Sequence, residues 1–93
     1  MESSFVRSTS VAERTVAGET VLVPIRHSPE ERISVLTLNA VGSLVWRELG
    51  EPRTASWLAD RVAREFEVSA ERAAADLEPF LDKLRALALV QAS

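Results

Sequence analysis

The sequence predicts a small α+β domain in which a three-stranded antiparallel sheet is followed by three helices. Three observations carry that reading. The first half holds β-branched runs with partial alternation, the second half holds apolar residues at i, i+3, i+4 spacing, and the period changes at one residue, Asn39. At 93 residues there is room for one core only, so residues 1–93 are expected to form a single domain, with 1–8 flexible. A composition of 46% hydrophobic and 27% charged residues, with three Gly and four Pro, is that of a chain able to bury a core.

The first strand is Val11 to Val16, and Ala17-Gly18 supplies a turn. Thr20 to Ile25 makes the second; Pro24 removes one ladder donor and belongs at a strand end or edge. A polar stretch, Arg26 to Arg32, leads into the third strand, Ile33 to Leu38, and a meander is the simplest connection. Asn39 is placed to cap a first helix with Val41, Leu44, Val45 and Leu49 on its face, and Gly50 to end it. Thr54 caps a second, whose apolar face is Ala55, Leu58, Ala59, Val62 and Phe66 and which stops near Glu67. Ser69 caps the longest, with Ala73, Ala74, Leu77, Phe80, Leu81, Leu84, Leu87 and Ala88 on one face and Glu71 complementing the dipole.

Two residues resist this pattern. Pro79 lies inside the third helix, where it deletes the bond to Ala75, so a kink or an opened turn near Ala74 and Ala75 is expected. Trp57 points away from the Leu58–Val62 stripe; it either folds back over a loop or the second strand or anchors a partner. Trp46 is expected in the core.

Composition narrows the chemistry. There is one His, no Cys and no Tyr, and neither a Gly-rich phosphate loop nor metal-ligand spacing occurs, so the expectation is no enzyme, no catalytic residue, no metal and no cofactor. His27 reads as a solvated loop residue and Glu30-Glu31 as part of a polar hairpin loop. A net charge of −3, with ten Arg and one Lys interleaved among fourteen acids, disfavours sequence-independent nucleic-acid binding. Neither a signal peptide nor a membrane span is visible, and a cytoplasmic protein is the default.

Leu38-Asn39-Ala40-Val41-Gly42 at the strand-to-helix junction, with Leu44 and Trp46, then Pro52-Arg53-Thr54, Phe66-Glu67-Val68, Ala73 to Leu77 and a final Leu84 to Val90 run, resembles the PqqD family over residues 5–91. These are the pyrroloquinoline quinone biosynthesis protein D proteins and their relatives, the peptide-recognition elements of ribosomally made natural-product (RiPP) pathways. The chain departs from the pattern at Trp57, where an acidic residue often stands, at Pro79, and in the long charged turn between the second and third strands. The resemblance implies a winged helix-turn-helix-like fold that does no chemistry. It binds the leader segment of a precursor peptide by strand addition and presents it to a modifying enzyme such as a radical S-adenosylmethionine maturase, a leader peptidase or a cyclase. Carried onto this chain, it implies a peptide-binding edge at Ile33, Ser34, Val35, Leu36 and Thr37, and an opposing wall drawn from Arg72, Asp76, Leu77, Phe80, Lys83 and Leu84.

Edge pairing is reasonable on physical grounds too, since an open strand presents unpaired N–H and C=O groups to any extended peptide. The competing readings are a winged-helix DNA-binding regulator using the helix from Thr54 to Phe66, and a dimerisation module using Trp57 and the open edge.

Overall fold

The computed structural model describes residues 3–9, 11–24 and 36–92. In chain order they form β1 (Ser4–Arg7), β2 (Val11–Val16), β3 (Glu19–Pro24), β4 (Leu36–Leu38), α1 (Ala40–Glu48), β5 (Arg53–Thr54), α2 (Ala55–Phe66), α3 (Ala70–Ala86) and β6 (Val90–Ala92). The expected meander is present as an antiparallel sheet of order β2-β3-β4. Its first connection is the two-residue turn Ala17-Gly18, in which both residues have positive φ, 52° and 83°, the combination that matches the twist of a tight hairpin. Val16 pairs with Glu19 across it, and β3 meets β4 with Leu22 opposite Leu36, Val21 opposite Thr37 and Thr20 opposite Leu38. The polar stretch from Arg26 to Arg32, with His27 and Glu30-Glu31, lies outside the described residues.

Each helix starts where its cap predicts. The side chain of Asn39 accepts from the Gly42 N–H at 2.8 Å, Thr54 from Trp57 at 3.1 Å and Ser69 from Arg72 at 3.1 Å. Two ends are closed by a left-handed residue: Glu67 after α2 and Ala88 after α3, with Val68 donating to Ala63 O and Leu89 to Leu84 O. Gly50 follows α1 without positive φ. A Cβ there would stand 2.9 Å from Arg7 Nη2, so its lack of a side chain makes room for that guanidinium.

A second sheet of order β5-β1-β6 was not expected. Ser4–Arg7 is its central strand, paired with Arg53–Thr54 on one side and Val90–Ala92 on the other. This strand falls within residues 1–8, the stretch expected to be flexible. Arg7 N–H also donates to Leu49 O, and Ser8 N–H to Leu89 O. Two- and three-residue strands have too little alternation to be recognised from sequence; their partners are supplied by chain segments about 50 and 85 residues away.

The core joins these layers. Leu22 and Leu36 of the first sheet, Leu44, Val45 and Leu49 near α1, Leu58 and Val62 of α2, Leu77, Leu81 and Leu84 of α3, and Leu89 and Val90 form one cluster. No polar or charged side chain among the described residues is buried. Trp46 is buried as expected, and its Nε1–H donates to Glu13 Oε1 at 2.6 Å, which satisfies the one polar atom that burial would otherwise penalise. Trp57 is half-buried, roofed by the Arg53 guanidinium 4.0 Å from its ring centroid. α3 is continuous across Pro79.

Candidate functional site

Two features meet at the junction of β4 and α1. The first is an edge: β4 pairs with β3 and, among the described residues, with no strand on its other flank. Leu36 and Leu38 turn inward and are buried, while Thr37 faces out. What β4 offers a partner is therefore backbone on its open flank, with its two leucines committed to the core. Ile33, Ser34 and Val35 lie outside the described residues.

The second feature is a groove of about 230 Å³ beside that junction. Val41 of α1, Val62 and Phe66 of α2, Val68 beyond it, and Leu77 and Phe80 of α3 give it apolar walls. Val68 is 40% exposed, an apolar side chain held out by the left-handed turn at Glu67. Asn39, Gly42 and Ala73 complete the lining, and Asp76 is its one charged residue. The Leu-Asn-x-x-Gly sequence has a physical reason here. Asn39 caps α1, and Gly42 lets the Phe80 ring approach: an added Cβ would lie 3.3 Å from Phe80 Cζ and 3.5 Å from Leu38 Cβ. The glycine thus brings the middle of α3 up against the end of β4.

Three of the six wall residues expected from sequence, Asp76, Leu77 and Phe80, line the groove. Arg72 is exposed and reaches the site only through its ion pair with Asp76 at 3.4 Å, a solvated i,i+4 pair of small energetic value. Lys83 is exposed and outside the lining. Leu84 requires correction: with 0% of its surface accessible it belongs to the core cluster and lies outside the lining of the groove. Of the apolar walls, sequence reasoning missed Val41, Val62, Phe66 and Val68: the first three read as ordinary core, and the fourth stands between two helices on neither apolar face. An apolar residue directly after a helix stop was the available signal for Val68.

The arginines of α2 bear on nucleic-acid binding. Arg61 is engaged by Glu48 at 3.6 Å and by Glu65 at 3.4 Å, so half of the cationic charge this helix could offer a groove is neutralised. Among the described residues no group of three His, Cys, Asp or Glu could hold a metal ion, and no helix is long and apolar enough to cross a membrane.

The family model for coenzyme PQQ synthesis protein D (PqqD) matches residues 19–90. The chain belongs to the PqqD family. No curated protein matches it. Among solved structures, TbiB1 in complex with the TbiA(beta) leader peptide is similar at 26% sequence identity and a TM-score of 0.74, over 92% of this chain and 94% of that one. The PqqD match begins at β3 and ends at the start of β6, so it spans both the open edge and every residue of the groove.

Proposed function

We propose that this chain is a non-catalytic adaptor that binds the leader of a ribosomally made precursor peptide and presents it to a modifying enzyme. The observation that carries the reading is the flank of β4, unpaired among the described residues, lying beside an apolar groove, in a PqqD-family chain similar to TbiB1, which is seen with a leader peptide. The leader adds as a strand along Ile33 to Thr37 and sets its apolar residues against Phe80, Leu77 and Val68. Asp76, with Arg72 beside it, discriminates at the rim. The modifying enzyme is of the radical S-adenosylmethionine, leader peptidase or cyclase type, and the setting is the cytoplasm.

The energies suit a transient carrier. A few edge hydrogen bonds at a net ~0.5–1.5 kcal/mol each and two or three apolar anchors at ~1.5–3 kcal/mol each act against ~2–5 kcal/mol for ordering the leader. The loss of free translation and rotation opposes binding further. Micromolar to submicromolar affinity is the expected balance.

The test is titration of isotope-labelled protein with the leader encoded beside its gene. Amide shifts are expected at Leu36 to Leu38 and along α3 from Ala73 to Phe80. Val68→Glu puts a charge on the groove wall at an exposed position, so the variant should fold normally and bind at least ~tenfold more weakly, the cost of one buried apolar contact. Leader binding that leaves β4 unshifted and ignores Val68→Glu would exclude this site. Salt-sensitive DNA binding without any leader response would favour the regulator.

A further inference from the structure

A second cleft, of about 290 Å³, lies on the other flank of α3. Its floor is Phe5 of β1, Ala55 and Ala59 of α2, and Ala74, Leu77 and Leu81 of α3; Glu78, Asp82 and Arg85 form the rim. At ~100° per residue, Asp76 and Phe80 face one side of α3 and Glu78, Asp82 and Arg85 the other, with Leu77 between. The two openings are thus separated by the thickness of one helix. The alanines create the second one, because larger residues at those positions would fill it. At this size it is below the ~300–1,000 Å³ range of small-molecule sites and suits inserted side chains.

Its electrostatics select a partner. Glu71, Glu78 and Asp82 fall within one narrow stripe of α3, at i, i+7 and i+11. The single basic residue on that rim, Arg85, is engaged by Asp82 and lies 5.5 Å from the Phe5 ring centroid. Glu71 and Glu78 have no ion-pair partner among the described residues. A second copy docking symmetrically would set this acidic rim against itself, which is unfavourable.

We infer that this cleft is the docking site for the modifying enzyme, which inserts an apolar side chain between α2 and α3 and flanks it with Lys or Arg facing Glu78 and Glu71. The inference rests on the adaptor reading and adds to it: leader and enzyme are held on opposite flanks of the same helix, so both can be bound at once.

The experiment measures affinity for the purified modifying enzyme from the same gene cluster, using wild type, Glu78→Gln and Glu78→Lys, each checked for fold by circular dichroism. Glu78→Lys is expected to weaken enzyme binding by ~tenfold or more, Glu78→Gln by less, and added salt to weaken wild-type binding, as for a charged rim. Leader affinity, titrated on the same samples, stays unchanged. Enzyme affinity equal across the three proteins overturns the inference, as does a self-association that Glu78→Lys abolishes while enzyme binding persists. A wild type that ignores the leader sinks the adaptor reading separately, whatever the enzyme measurement gives.

Discussion

Single residues set the local geometry at the site. Gly42 decides how close α3 comes to β4, and Asn39 fixes where α1 begins. Arg53 acts in three directions: its Nε donates to Glu48 O at 3.3 Å, its Nη2 pairs with Glu51 at 2.9 Å, and its guanidinium covers Trp57. Arg53 therefore ties the end of α1 to the start of α2, which accounts for the Trp57 indole that helical periodicity had directed toward solvent. Strain is also local. Ala17 sits in left-handed geometry in the β2–β3 turn, a conformation that costs an L-residue ~1–2 kcal/mol and that Asn tolerates better. Ala17→Asn is expected to raise stability by about 0.5–1 kcal/mol, a gain of roughly 2–8 °C in Tm by calorimetry for a domain of this size. Leader affinity should not change, since the turn lies outside the groove.

At the scale of elements, amphipathic helices were legible and short strands were not. Leu58, Ala59 and Val62 of α2, and Ala73, Leu77, Leu81 and Leu84 of α3, are buried as their spacing predicts. Pro79 is tolerated because both it and Ala75, whose carbonyl loses its donor, are on the exposed side of α3. Water can satisfy that carbonyl without the helix opening. The proline still forfeits a hydrogen bond, at ~3 kcal/mol in a helix interior, less ~0.4–1 kcal/mol for the freedom it removes from the unfolded chain. Pro79→Ala should therefore stabilise the protein by ~2 kcal/mol in chemical denaturation. A smaller gain would mean that α3 bends around the proline in compensation. Of the groove, the α3 side was readable from periodicity joined to the family resemblance. Val41 and Phe66 were hidden because a residue half in the core and half in a groove carries the same pattern as one wholly in the core.

At the scale of the whole molecule, β1 is the strand that ties the chain ends to the middle. It pairs with β5 before α2 and with β6 after α3, while Arg7 lies 3.9 Å from Glu13 of β2 and 5.5 Å from the Trp46 ring centroid. Phe5 packs against the core and also floors the cleft assigned to the modifying enzyme. Deleting residues 1–8 is expected to cost at least ~2 kcal/mol, from lost ladder bonds and the partly buried Phe5. That corresponds to a Tm fall of roughly 8–16 °C. Enzyme binding should weaken more than leader binding, because the leader groove contains no residue from this segment. A truncated chain as stable as the full one would show that β1 contributes little to the fold.

By itself the sequence determined the three-stranded meander, the three capped helices, their buried faces and, through ordered motifs around Asn39, Arg53 and Phe66, the family. These are local matters, written in spacings of two to four residues. Tertiary structure alone decided that β1, β5 and β6 form a second sheet, that Leu84 is core while Val68 is groove, and that α3 separates two clefts. Each of those depends on contacts between segments far apart in the chain, where the energy comes from shape and pairing that no local pattern encodes.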